Sequence, residues 1–220
     1  GLQQVLVEFP GSGESPRADA PLTVDGLADQ AHAVMAELGH ERYHVAGYSL
    51  GAVVAAGLAA RHADAVRSAT LLCGWVTSDA RQRFTFDLWK RLIEASPELF
   101  MRYAVADGFT AAAIGGLEPM LDGVVALGAS SLAPGSADHL DLDIVVDIAD
   151  LLASITAPTL VIGGVEDRWC GIEHSRALAA GIAGSRLVEL PGGHLIIQEL
   201  AGEIATLLSA HVADAVANPA

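Results

Sequence analysis

Arg42 to Ala52 reads Arg-Tyr-His-Val-Ala-Gly-Tyr-Ser-Leu-Gly-Ala and joins a short apolar, β-branched run to a long apolar helical pattern. Between the two, Gly47-Tyr48-Ser49-Leu50-Gly51 has the Gly-x-Ser-x-Gly spacing of a nucleophile elbow. So tight a strand-to-helix turn strains the serine backbone and exposes its hydroxyl, and a side chain at either flanking position would strike neighbouring backbone. Glycine at 47 and 51 is expected to remove that collision. The helix beginning here aims its unpaired N–H groups and positive dipole end at the space above Ser49, where developing negative charge would be stabilised.

Glycine-rich strand-to-helix turns also bind nucleotides. Gly11-Ser12-Gly13 follows the run Val5 to Phe9, but Pro16 stands where the third glycine of a dinucleotide fingerprint belongs, and no helix start follows. At the elbow Ser49 takes the place of the second glycine, and no Lys follows as a phosphate-binding loop requires.

From Gln4 to about His211 the chain resembles the α/β-hydrolase superfamily, in its serine-nucleophile branch with a helical cap. The resemblance rests on the elbow and on the order serine, acid, histidine. Ser49 is followed by Asp167 in VIGGVEDRWC and His194 in ELPGGHLIIQE. Both come just after strand-like runs, Thr159 to Gly163 and Arg186 to Leu190, and loops at the carboxyl ends of parallel strands are where such folds keep their chemistry. The chemistry itself demands these residue types. A serine hydroxyl is a weak nucleophile near neutral pH, so a base of suitable pKa, His194, must take its proton. A carboxylate, Asp167, then fixes the imidazole tautomer and stabilises its transient charge.

Alternatives to each choice exist in the sequence. Of eight histidines, His32, His40, His44, His62, His139, His174 and His211 are expected on helix surfaces or in loops, whereas His194 follows two glycines and precedes the apolar run Leu195 to Ile197. Glu166 adjoins Asp167 and would serve if the strand ended one residue earlier. Asp79 follows the run Ala69 to Gly74, and some relatives of this fold place the acid there. By resemblance, the oxyanion would be held by the backbone N–H of Leu50 and by a second N–H from Phe9-Pro10-Gly11-Ser12-Gly13, for which Ser12 is the candidate. Pro10 replaces the His that many relatives carry at this point, and a proline brings no N–H.

Alternating strand and helix patterns imply α/β architecture, a mostly parallel sheet with helices on both faces. Strands are expected at Val5 to Phe9, Tyr43 to Ala46, Ala69 to Cys73, Thr159 to Ile162 and Arg186 to Leu190. Helices are expected at Val24 to Leu38, Leu50 to His62, Ile172 to Ala180 and Glu199 to Val216. The alternation breaks over 79–152, which carries helical patterns alone and corresponds to the superfamily's cap, leaving 1–78 and 153–220 as the core domain. Six of the eleven aromatic residues, Phe84, Phe86, Trp89, Phe100, Tyr103 and Phe109, crowd into the first part of this insert. With Tyr48 and Trp75 they form the candidate substrate pocket over Ser49, although aromatic residues at helical spacing equally build a helix core. Gly115-Gly116, Gly123 and Leu132 to Ala137 are candidate hinges of a lid. In this family about two strands precede the one leading to the oxyanion loop, so N-terminal strands are expected to be missing. A sheet edge would then be uncovered, leaving self-association open.

Net charge is −15 with only 12 Lys and Arg, which excludes a sequence-independent grip on nucleic acid. Arg81 to Arg91 reads as the solvated face of a helix whose other side carries Phe84, Leu88 and Leu92. No run of 18 or more apolar residues signals a membrane span. Cys73 and Cys170 lack metal-ligand spacing and define no disulfide framework, so free thiols and a cytoplasmic location are expected. The functional expectation is a serine hydrolase without metal or other cofactor, acting on a small acyl substrate with an apolar part: an ester, thioester or lactone. The serine excludes the aspartate-nucleophile branches. Carbon–carbon bond hydrolysis and perhydrolysis stay open, as do two other classes: a ring-forming or lyase-like tailoring enzyme, and a ligand-binding protein with the cap as its lid.

Overall fold

The computed structural model describes residues 3–217. Among these, the sheet has four strands, β1 (Tyr43–Tyr48), β2 (Val66–Leu72), β3 (Thr159–Gly164) and β4 (Arg186–Leu190), all parallel and in sequential order. Around them lie α1 (Val24–Glu37), α2 (Leu50–Arg61), α8 (Ile172–Gly181), α9 (Ile196–Glu199) and α10 (Ala201–Ala217). Five helices, α3 (Ala80–Ala95), α4 (Pro97–Gly108), α5 (Ala111–Leu117), α6 (Leu121–Ser130) and α7 (Ser136–Val145), occupy the interval between β2 and β3.

Strand periodicity divides the interior into two layers. Ala69 and Leu71 of β2 and Val161 of β3 face the core built on α1, α2 and α8. Their neighbours Leu72, Leu160 and Ile162 face the opposite core with Ile196 and Ile204. Successive side chains of a strand point to opposite faces, so strands buried on both sides read as near-continuous apolar runs, and six of the seven β2 residues are buried.

Caps set the helix starts. Thr23 accepts the N–H of Gly26, Ser96 accepts that of Leu99 ahead of Pro97, and Asp79 and Gln82 form a reciprocal capping box on α3. The box makes Asp79 a helix cap, paired with His174 at 3.4 Å, and Asp79 is not the carboxylate that bonds His194.

Several expectations change. Val5 to Phe9 is not a strand. Its side chains alternate between half-buried and exposed as a strand's would, and Val7 and Phe9 pack on the core, but the segment joins no sheet ladder. A cleft of 290 Å³, lined by Val5, Leu6, Val7 and Phe9 together with residues of β1, separates the two. Alternation reports which side faces the core, and pairing requires a neighbour at ladder distance. The α3 helix is rotated from the expected face: Gln82, Phe86 and Trp89 are buried, and Phe84 is 77% exposed. Gly115, Gly116 and Gly123 lie inside α5 and α6 instead of at hinges, whereas 132–135 forms the turn between α6 and α7, and Ser136 and Ala137 already belong to α7. The stretch Ala111–Ser130 is long and apolar enough to cross a membrane by length and composition, although Glu118, Pro119 and Asp122 interrupt it. His211 is buried, with Nε2 3.1 Å from the Ala69 carbonyl, and His44 lies within β1 beside Ser68. Both cysteines are free and buried.

In α7, Asp143 is buried and its Oδ1 has no hydrogen-bond partner, so desolvation pushes its carboxyl well above the usual carboxylate range. A raised folded-state value means that the contribution to stability is fully present below the unfolded value near ~4 and declines as pH rises toward the folded value. Asp143→Asn, neutral at every pH, is therefore expected to melt above the native chain at pH 8, with the gap closing near pH 4. Equal gaps at the two pH values in thermal unfolding would refute this.

Candidate active site

Ser49 sits between β1 and α2 with φ +56°, one of two non-glycine residues at positive φ among the described residues. Its N–H donates to the Leu72 carbonyl at 2.9 Å, tying the turn to β2. A Cβ on Gly47 would overlap the carbonyl of Gly51, so this glycine is required by close approach. Gly51 is different: a Cβ there meets nothing within 4 Å, and the expected steric need at 51 is absent. Gly47→Ala is expected to destabilise the fold by about 3 kcal/mol, the scale of a severe overpacking error, while Gly51→Ala stays within about 1 kcal/mol. Urea unfolding of the pair checks the contrast.

His194 Nε2 lies 2.9 Å from Ser49 Oγ, and its Nδ1 lies 2.7 Å from Asp167 Oδ2. The carboxylate accepts at Oδ2, so Nδ1 carries the proton and Nε2 is free to accept from the serine hydroxyl. Asp167 Oδ1 accepts the backbone N–H groups of Trp169 and Cys170, each at 2.8 Å. Both Asp167 and His194 are buried, whereas the neighbouring Glu166 is exposed to solvent. The elements explain the convergence: β1, β3 and β4 are parallel, and their carboxyl ends deliver Ser49, Asp167 and His194 to one edge of the sheet.

Leu50 is the first residue of α2, so its N–H has no carbonyl four residues back within the helix and stays available beside Ser49. Ser12 does not match it. Its N–H donates to the Phe9 carbonyl at 2.9 Å in a local turn, and Gly11 N–H bonds the Ser15 and Pro16 carbonyls. The Phe9 to Gly13 loop is instead fastened to the insert. Gly135 N–H donates to the Gly11 carbonyl at 2.9 Å, His139 Nε2 lies 2.9 Å from the Pro10 carbonyl, and Arg17 pairs with Asp138 at 2.7 Å.

The aromatic candidates separate into distinct roles. Tyr48 donates its O–H to the His194 carbonyl at 2.8 Å, and burial, with Cys73 and Asp167 nearby, pushes its phenol far up in pKa. Trp75 is fully buried and donates to Ser78, making it core. Phe86, Phe100 and Tyr103 pack around Trp89, and Phe109 belongs to a separate cluster with Val105 and Val125. Phe84 is exposed to solvent. Trp89 leads from the insert toward the site through Trp169: their rings are 4.4 Å apart, and Trp169 is 4.6 Å from His194. Trp169 was not anticipated, although its position two residues after Asp167 placed it in the acid's own loop.

Cys73, the second positive-φ residue at φ +49°, has its thiol within 4.8 Å of the Asp167 and His194 ligand atoms. This is the set with metal-ligand spacing among the described residues. Its carboxylate and imidazole already bond each other, and burial, followed by the Asp167 charge, pushes the thiol up, away from the thiolate a metal would need.

A buried carboxylate, an oriented imidazole and a strained serine at a helix N-terminus, carried on a parallel sheet, define an α/β-hydrolase-type site. The sequence profile of the alpha/beta hydrolase fold matches residues 1–114, and the chain belongs to that family. The pyrrolizixenacetamide deacetylase of Xenorhabdus hominickii is 29% identical over 209 residues, 93% of this chain and 78% of that protein. RutD of Azorhizobium caulinodans, named for carbamate hydrolysis, is 29% identical over 199 residues, 87% and 73% of the two chains. The enol-lactonase structure from Burkholderia xenovorans LB400 superposes with TM-score 0.81 at 24% identity, covering 92% of this chain and 78% of the other, a likeness of fold. The chain is a hydrolase.

Proposed function

We propose that the chain cleaves a carboxylic acyl bond, in an ester, thioester or lactone, through a Ser49 acyl-enzyme. The continuous Ser49–His194–Asp167 hydrogen-bond chain carries this reading. His194 Nε2 takes the serine proton as Oγ adds to the acyl carbon, and the Leu50 N–H faces the developing oxyanion. The imidazolium then returns its proton to the leaving group. Water, deprotonated by the same nitrogen, adds to the acyl carbon and releases the acid and Ser49. Asp167, bonded to Nδ1, stabilises the imidazolium.

The relatives named for acetamide and carbamate cleavage extend the class to activated acyl–nitrogen bonds, which the same sequence of proton transfers serves because His194 protonates the departing nitrogen. The test is rapid-quench intact mass spectrometry with p-nitrophenyl acetate, phenyl thioacetate, an enol lactone and an N-aryl carbamate. A mass increase matching the acyl group, formed before steady state and lost in Ser49→Ala, is the expected result. Turnover with no covalent species and no labelling by a fluorophosphonate would overturn the acyl-enzyme and favour direct attack of water.

A further inference from the structure

The two loops that carry Asp167 and His194 meet at one point of the helical insert, the C-terminal end of α4. Asp107 Oδ2 accepts the Trp169 indole N–H at 3.1 Å and the Tyr103 hydroxyl at 3.0 Å, and Arg168 stands 3.7 Å from Oδ1. One residue on, the Gly108 carbonyl accepts the Leu195 N–H at 2.9 Å. A Cβ on Gly108 would lie 2.8 Å from the Trp169 ring and 3.0 Å from Leu195, so the chain passes both loops at closest approach. Glu199 completes the connection, accepting the Thr110 N–H at 3.0 Å, the Thr110 hydroxyl at 2.8 Å and the Gly193 N–H at 3.2 Å.

We propose that Asp107 and Trp169 are positioning residues: Asp107 anchors the indole from the insert, and the indole holds the His194 imidazole in line with Ser49. The inference rests on the triad reading above. The bond from Nδ1 to Asp167 leaves the ring able to rock about that hydrogen bond, which would carry Nε2 away from Oγ. Packing of the Trp169 ring at 4.6 Å, tilted 38°, limits that rocking, and the Asp107 bond with the edge contact from Trp89 fixes the indole in turn. Neither residue needs to touch the reacting atoms.

The experiment compares Asp107→Ala, Asp107→Asn, Trp169→Leu and Trp169→Phe by two readouts. The first is the rate of Ser49 phosphonylation by a fluorophosphonate, with kcat and KM on p-nitrophenyl acetate. The second is the far-downfield proton resonance of the His194–Asp167 hydrogen bond, which needs no turnover. Asp107→Ala and Trp169→Leu are expected to lower phosphonylation and kcat by about 10- to 100-fold with KM within about twofold, since small misplacements of a catalytic group are felt mainly in kcat. Asp107→Asn, which still accepts from the indole, and Trp169→Phe, which keeps a ring, are expected to restore most of the rate. The downfield proton broadens in the two severe variants and stays sharp in the two conservative ones. Wild-type rates, a change confined to KM, or an unchanged resonance in folded Asp107→Ala and Trp169→Leu would overturn the proposal. If the native chain itself resists the fluorophosphonate, the acyl-enzyme reading fails, and the resonance alone still decides the positioning role; if a severe variant does not fold, its conservative partner decides, because loss of rate there without broadening contradicts the anchor.

Discussion

Ser49→Ala is expected to lower kcat by about 10⁴- to 10⁶-fold while leaving the melting temperature within a few degrees of the native chain. In the proposed mechanism, removing Oγ deletes the atom that adds to the acyl carbon, and it leaves His194 Nε2 without the partner it contacts at 2.9 Å. Little else depends on that oxygen. The elbow is held by the Ser49 N–H bond to Leu72 and by the absence of a side chain at Gly47, both kept in the variant. Alanine at φ +56° carries the same backbone strain as serine, so the stability change should be small. Steady-state turnover with calorimetry checks both halves, and residual activity within tenfold of native would remove Ser49 as nucleophile.

Asp167→Asn should cost about 10⁴-fold in kcat for a different reason. Two backbone N–H groups, from Trp169 and Cys170, point at Oδ1, so an amide in this place must put its oxygen there and its NH2 toward His194. The ring would then have to accept at Nδ1 and carry its proton on Nε2, where it faces Ser49 Oγ as a donor. The base is lost although every heavy atom keeps its place. A chain in which Asp167→Asn retained more than a tenth of native kcat would show that tautomer control is not what Asp167 supplies.

The residues that sequence reasoning located are those whose neighbours in the chain constrain them. Ser49 is framed by a strand, a glycine and a helix; Asp167 and His194 each follow a strand, and β4 matches the expected Arg186 to Leu190 throughout. What escaped depends on loop closure and packing contacts that the local pattern does not specify. Whether Val5 to Phe9 pairs is decided by its distance from β1, and whether the Ser12 N–H is available is decided by how the loop closes on Phe9. The α3 pattern admitted two apolar faces, and contact with α4 and α7 selected the one carrying Phe86 and Trp89. Asp107 and Glu199 carry no signal of their own in the sequence, because their roles come from contacts with Trp169 in one case and with Thr110 and Gly193 in the other.

The glycine-on-glycine contact between the first loop and the turn before α7 bears on how this chain can change over generations. A Cβ on Gly11 would sit 2.5 Å from the Gly135 Cα, and a Cβ on Gly135 would sit 2.7 Å from the Gly11 Cα. The two positions therefore constrain each other sterically. Gly11 also lies at φ +79°, which holds it to glycine whatever its neighbour is. Loss of Gly11 would force the two backbones apart and lift much of the barrier at Gly135, whereas loss of Gly135 leaves the demand at Gly11 in place. Position 135, 124 residues from position 11, is thus expected to vary freely only where Gly11 has already been lost.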